Sequence, residues 1–307
     1  MSYLPILRAL VDHQQFDSLK GNARRYLEET ADARALPLLA LANAHLGERH
    51  EALALVEQVG ARMAELDLDA RVDLAAVYCL MLRVDEAVAL LMPALDLQPD
   101  HPLALARLAW CRAYLGDLAL ARQLYQRSVD LAPHRLTVWV ALARLGLESR
   151  DVAAAETALA EAVVRLEQVR ADLPEATATQ FRAQVRGLQL EVWLATGRVA
   201  EAEQWLDDSR ETLPEADWAG LVVGYSILLA GQDRHTQAEE ALRAALKHAP
   251  DNLELVSQLA ELTQLQGHTL QSIQSLRRAI QLAGVQDKPA VALWVRLAAA
   301  YQHLDDR

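Results

Sequence analysis

Residues Pro102 to Pro133 read PLALARLAWCRAYLGDLALARQLYQRSVDLAP, and this stretch decides the fold. Leu105, Leu108, Ala109 and Leu115 recur at three-to-four spacing, which predicts an amphipathic helix from about Leu103 to Leu115. Gly116 suits the left-handed residue that ends a helix, and Asp117 suits the cap of the next. A second helix is predicted from Leu118 to Leu131, with Ala121, Leu124, Tyr125 and Ser128 on its inner side and Pro133 as its stop. Ala121 falls where the two helices cross. A large side chain there would overpack the crossing and cost roughly 1–3 kcal/mol.

The unit repeats. Ala87, Ala121 and Ala155 are 34 apart, as are Pro99 and Pro133, Gly197 and Gly231, and Pro250 and Gly284. A period near 34 with two helical patterns per period resembles the tetratricopeptide repeat family, whose pattern is W-x2-L-G-x2-Y, then A-x3-F, then P. Trp294, Leu297, Ala298 and Tyr301 match its first half, and Ala121, Tyr125 and Pro133 its second. The resemblance covers nearly the whole chain. It implies an all-α fold, a right-handed superhelical solenoid of antiparallel helix pairs.

Composition fits that reading. The 307 residues are 52% hydrophobic but only 5% aromatic, as Ala/Leu-rich helices require. A solenoid grows by stacking, so the length implies one elongated core and not two globular domains. The net charge of −12 repels phosphate backbones and argues against nucleic acid as a partner. Three lysines among 30 basic residues point to a GC-rich, bacterial source. Cys79 and Cys111 lack the spacing of a disulfide framework and are expected to be buried free thiols. The N-terminus, MSYLPILRALVDHQQ, lacks the layout of a secretion signal, and no apolar run reaches the roughly 20 residues that span a bilayer. The expected setting is the cytoplasm, away from membranes.

Along the chain, residues 1–32 form a degenerate capping hairpin whose polar outer face is assigned to Arg8, Asp12, Lys20, Arg24 and Arg25. Residues 33–150 hold the N-terminal repeats. The period then breaks: Ala155 to Ala202 is 47 residues, 13 more than 34. Helix formers flank Pro174, so residues 151–196 are expected to be an elongated helix pair whose corner, Asp172–Glu175, projects about two turns past the solenoid edge. Residues 197–307 hold the C-terminal repeats, with two extra residues assigned to the GQDRHTQ turn, and end in an unpaired helix. Leu297, Tyr301 and Leu304 are expected to leave apolar surface there. Three explanations stand for that end, at Leu304-Asp305-Asp306-Arg307: a fragment of a longer protein, a bare cap, or a helix that pairs with another chain by self-association.

No catalytic grouping emerges. His45 and His50 are five apart and face different sides of a helix, so they make no zinc-type pair, and the sequence implies no metal or cofactor. GxGxxG, P-loop and GxSxG motifs are absent. The expectation is that the chain is not an enzyme.

In the family, the second, fifth, ninth and twelfth positions of each repeat line the concave groove. Carried over, they fall on Val72 and Ala76; on Ala106, Trp110 and Ala113; on Val140, Arg144 and Leu147; on Glu191 and Leu194; on Trp218, Leu221, Tyr225 and Leu228; and on Ser257 and Glu261. Arg107, Trp110, Arg144, Glu191, Trp218 and Tyr225 are the candidate partner-binding residues. The competing reading packs the aromatics against the next repeat. Chaperone-binding relatives grip a C-terminal carboxylate with lysine and asparagine. Here Pro37, Val72, Ala106 and Val140 replace the lysine, and Leu41, Ala76, Trp110 and Arg144 replace the asparagine, so that clamp is excluded. The resemblance implies a non-catalytic scaffold for a protein or peptide partner. The alternative is the substrate-recruiting region of a longer bacterial enzyme, of transferase or hydroxylase type, with its catalytic domain beyond residue 307.

Overall fold

The computed structural model describes residues 3–305. Met1, Ser2, Asp306 and Arg307 lie outside the described residues, and with the last two goes half of the expected C-terminal stop. The described chain is helical, with no strand, and falls into two units, Met1–Val185 and Arg186–Arg307.

Unit 1 contains α1 (Leu4–Asp12), α2 (Phe16–Thr30), α3 (Leu36–His45), α4 (Arg49–Ala61), α5 (Leu68–Leu80), α6 (Val84–Leu97), α7 (Pro102–Tyr114), α8 (Leu118–Leu131), α9 (Leu136–Glu148) and α10 (Val152–Val169). The division falls inside α11 (Glu175–Ala195). Unit 2 continues with α12 (Val199–Thr212), α13 (Glu215–Gly231), α14 (His235–His248), α15 (Leu253–Leu265), α16 (Thr269–Val285) and α17 (Val291–Asp305). Odd-numbered helices are the A helices of the repeats and even-numbered ones the B helices. Each pair is joined by a tight turn, so its two helices run antiparallel.

One turn chemistry recurs at every A–B junction. Gln14, Gly47, Leu82, Gly116 and Arg150 in unit 1, and Gly197, Asp233 and Gly267 in unit 2, have positive φ between 54° and 85°. The next residue's N–H donates to the carbonyl five residues earlier, as from Asp117 to Arg112 at 2.9 Å and from Arg234 to Leu229 at 3.0 Å. This is the Schellman closure, which satisfies helix carbonyls that would otherwise lack partners. Asp117 Oδ1 then accepts from Leu120 N at 3.1 Å and caps α8.

The reference repeat packs as its pattern requires. Leu105, Leu108, Ala109, Ala121, Tyr125 and Ser128 are buried. Leu115 is the exception, 54% exposed, because it follows the last residue of α7 and stands over the turn. A tight crossing lies one repeat later, at Ala155: a methyl group at Gly146 would stand 2.7 Å from Ala155 N.

The period break is taken up in helix length, with α10 at 18 residues and α11 at 21, against 13 for α7. Their corner does not stand free as expected. Thr177 Oγ1 donates to the carbonyl of His13, 164 residues earlier, at 2.9 Å. Phe181 is buried with Leu136, Leu166 and Ala178, so burial of this aromatic draws the corner inward. In unit 2 the two extra residues extend α13 and not the turn. The left-handed residue is Asp233, and Gly231 is still helical.

Candidate functional site

The inner face of unit 1 is contacted by its own first helix. Arg8 and Asp12, four apart on α1, share one face. Arg8 Nε donates to Asp73 Oδ2 at 2.9 Å, and Arg8 Nη1 donates to Asp69 Oδ2 at 2.9 Å, both on α5. Arg135 Nη1, at the start of α9, donates to Asp12 Oδ1 at 2.5 Å. Arg8 and Asp12 are therefore not the polar outer face of a cap; they tie α1 across the unit. The sequence carried half of this signal, since Asp69 and Asp73 are also four apart, but periodicity does not say which charged faces meet.

Behind this clasp lies a buried ion pair. Arg107 Nη1 stands 3.5 Å from Asp73 Oδ1 and also donates to the Val72 carbonyl. The two side chains are 10% and 2% exposed. Burial pushes the Asp73 carboxyl up, against the pull of Arg107 and Arg8, and pushes the Arg107 guanidinium down, against Asp73. Both directions say that lost hydration outweighs the pairing, which is the usual balance for ions held away from water. His101 joins the network as a helix cap: its Nδ1 accepts from Ala104 N at 3.2 Å while Nε2 donates to Asp69 at 2.9 Å.

The six candidate residues divide accordingly. Arg107 is consumed by Asp73 and offers nothing to a partner. Trp110 is half-buried and stacked on Tyr114, with ring centres 5.5 Å apart and Tyr114 55% exposed. Arg144 is exposed and Glu191 half-buried. Trp218 and Tyr225 are core residues, 4% and 0% exposed, and are not groove anchors. Trp218 Nε1 donates to the Leu206 carbonyl at 2.9 Å, and the Tyr225 hydroxyl donates to Glu203 at 3.3 Å, so both rings face α12.

The physical reason is register. Counting back six residues from each left-handed turn residue gives Arg8, Leu41, Ala76, Trp110 and Arg144 in unit 1, and Glu191, Ile227 and Glu261 in unit 2. Taking Gly231 as the turn shifts α13 by two residues, which is about 200° around a helix and exchanges core for surface. Ile227, and not Tyr225, holds the position of Trp110, and it is 52% exposed. The 34-residue spacing from Asp233 to Gly267 was the available signal.

At α17 the expected exposure is also redistributed. Leu297 and Ala300 are buried against Ala260, Ile273 and Leu276, and Tyr301 is half-buried under Arg277, 5.7 Å from its ring centre. The open face carries Val291, Trp294 and Val295, at 73%, 58% and 65% exposed. Ala298 is exposed, whereas Ala109 and Ala143, at the same place in their repeats, are fully covered.

Among the described residues no three His, Cys, Asp or Glu side chains gather as metal ligands, and no helix is long and apolar enough to cross a membrane. Residues 67–134 match the sequence profile of the tetratricopeptide repeat. No curated protein matches the sequence. Three solved structures share the fold. A chain of the APC/C hetero-tetramer Cut9–Hcn1 is 13% identical with a TM-score of 0.58, over 97% of this chain and 55% of that one. Yeast Tom70 is 15% identical with a TM-score of 0.53, over 95% and 60%. Human IFIT1, solved as a dimer with PPP-AAAA, is 16% identical with a TM-score of 0.50, over 85% and 57%. The chain spans between 55% and 60% of the length of these neighbours. Residues 67–134 carry the sequence pattern of the tetratricopeptide repeat, and the described chain shares the all-helical fold of these neighbours.

Proposed function

We propose that this chain is a non-catalytic cytoplasmic scaffold that binds a protein or peptide segment along the A helices. One observation carries the reading: Trp110, its stacked neighbour Tyr114, and Arg144 remain open on consecutive A helices while the polar groups around them are used internally. A half-exposed aromatic pair and a guanidinium suit a segment with an apolar anchor and acidic flanks. In unit 2 the corresponding row is Glu191, Ile227 and Glu261, which suits a segment of opposite charge. The test is capture of the partner from source cells, followed by titration with variants. Trp110→Ala and Arg144→Ala are expected to weaken binding at least tenfold, about 1.4 kcal/mol each, without loss of helicity. Unchanged affinity in both variants overturns the inner-face assignment.

The same reading includes self-association through α17, supported by its open Val291, Trp294 and Val295 face. Sedimentation across a concentration series tests it: Trp294→Asp is expected to abolish any dimer, and a wild-type protein that stays monomeric throughout overturns it.

A further inference from the structure

α5 and α7 each bring one cysteine to the same point. Cys79 and Cys111 are both free, and their sulfurs lie 3.6 Å apart, with Cys79 8% exposed and Cys111 fully covered. The two thiols share a hydrogen bond, and Cys79 and then Arg112 hold the Cys111 thiol below its ordinary value against the effect of burial. The helices that carry them are already fixed to each other by the Arg107 contacts to Asp73 and Val72. A disulfide needs its sulfurs about 2.05 Å apart, so closure asks for an approach of about 1.5 Å, within reach of side-chain rotation and a small shift of two helix ends.

We propose that Cys79 and Cys111 are a redox modification site, a dithiol that hydrogen peroxide converts into an intramolecular disulfide joining α5 to α7. One thiolate attacks a peroxide oxygen; the O–O bond breaks, sulfenic acid forms, and the departing hydroxide takes up the thiol's proton as water. The second sulfur attacks the sulfenic sulfur, the S–S bond forms, and the S–O bond breaks to release a second water. Two thiols and one peroxide thus give one disulfide and two waters, with sulfur oxidised and peroxide oxygen reduced. The neighbouring thiol is already in contact, so the sulfenic acid is captured before it meets more peroxide. The link closes the loop between Cys79 and Cys111 and fixes the end of α7 that carries Trp110 and Tyr114.

The experiment treats the full-length native protein with hydrogen peroxide, blocks remaining thiols with N-ethylmaleimide, and digests with trypsin without reductant. The expected result is a fall from two titratable thiols to none. The peptides Val72–Arg83 and Leu108–Arg112 are then joined, and dithiothreitol separates them. The oxidised protein should melt at a higher temperature than the reduced one. Cys111→Ser should give no joined peptide; if that variant misfolds, the wild-type peptide map decides alone. Two intact thiols, isolated sulfinic acids without the joined peptide, or a disulfide between two copies would each overturn the proposal.

Discussion

Arg135 donates to Asp12 at 2.5 Å although 123 residues separate them in sequence. With Arg8 on Asp69 and Asp73, and Thr177 on the His13 carbonyl, it makes the first helix of unit 1 a tie across the unit. Asp12→Ala should therefore act on α1 above all. Hydrogen exchange is expected to quicken across α1 and α2, while α13 to α16 keep their protection, and the protein should lose roughly 1.5–3 kcal/mol. Equal exchange in α1 before and after the change would show that this pair does not hold the helix.

Gly146 meets the backbone of Ala155 where α9 crosses α10. Gly146→Ala should cost roughly 1–3 kcal/mol, because the obstacle is backbone and cannot rotate away. Gly220, in α13, has nothing within 4 Å of where its Cβ would stand. Gly220→Ala should gain about 0.5–1 kcal/mol. Thermal melting of the two variants in opposite directions is the check.

Leu82 and Arg150 hold left-handed turn positions that glycine takes at residues 47 and 116. Leu82→Gly and Arg150→Gly should each stabilise the fold by several tenths to about 1 kcal/mol, as relief of strain exceeds the added chain entropy. Denaturant midpoints that fall in both variants would contradict this.

Register in α13 is tested by neighbours two apart. Tyr225→Ala should cost roughly 3–5 kcal/mol as a core deletion. Ile227→Ala, at the surface, should change stability by less than about 0.5 kcal/mol. Comparable losses would show that the register is wrong.

Acid should reveal Asp32. Hydrogen bonds from the Arg34 side chain and backbone, and from Tyr26, hold its carboxyl near 2, down from 3.8. A lowered folded pKa stabilises the fold above about 3.8, and that contribution disappears as pH falls towards about 2. Asp73 has the opposite sign, since burial raises its pKa and protonation favours the folded state. Carboxyl NMR should place the Asp32 midpoint near 2, and Asp32→Asn should flatten the loss of stability in that window. A midpoint near 4 would remove the effect.

The sequence by itself determined what is local. The bounds of α8, the left-handed turn at Gly116, the Asp117 cap and the burial of Ala121 and Tyr125 all follow from contacts within one repeat, and one repeat is visible in 34 consecutive letters. Register is counted from the nearest left-handed residue, Gly116 for Trp110 and Arg150 for Arg144. Where that residue was Asp233 and not glycine, the count slipped by two and Tyr225 took the place of Ile227. Only the tertiary structure decided what lies across the unit: Arg8 on Asp73, Asp12 on Arg135, Thr177 on His13, and the meeting of Cys79 with Cys111. Helical periodicity fixes which side of a helix a residue occupies. Which distant side it meets depends on small rotations accumulated from repeat to repeat, set by side-chain volumes at each crossing and written in no single stretch of the chain.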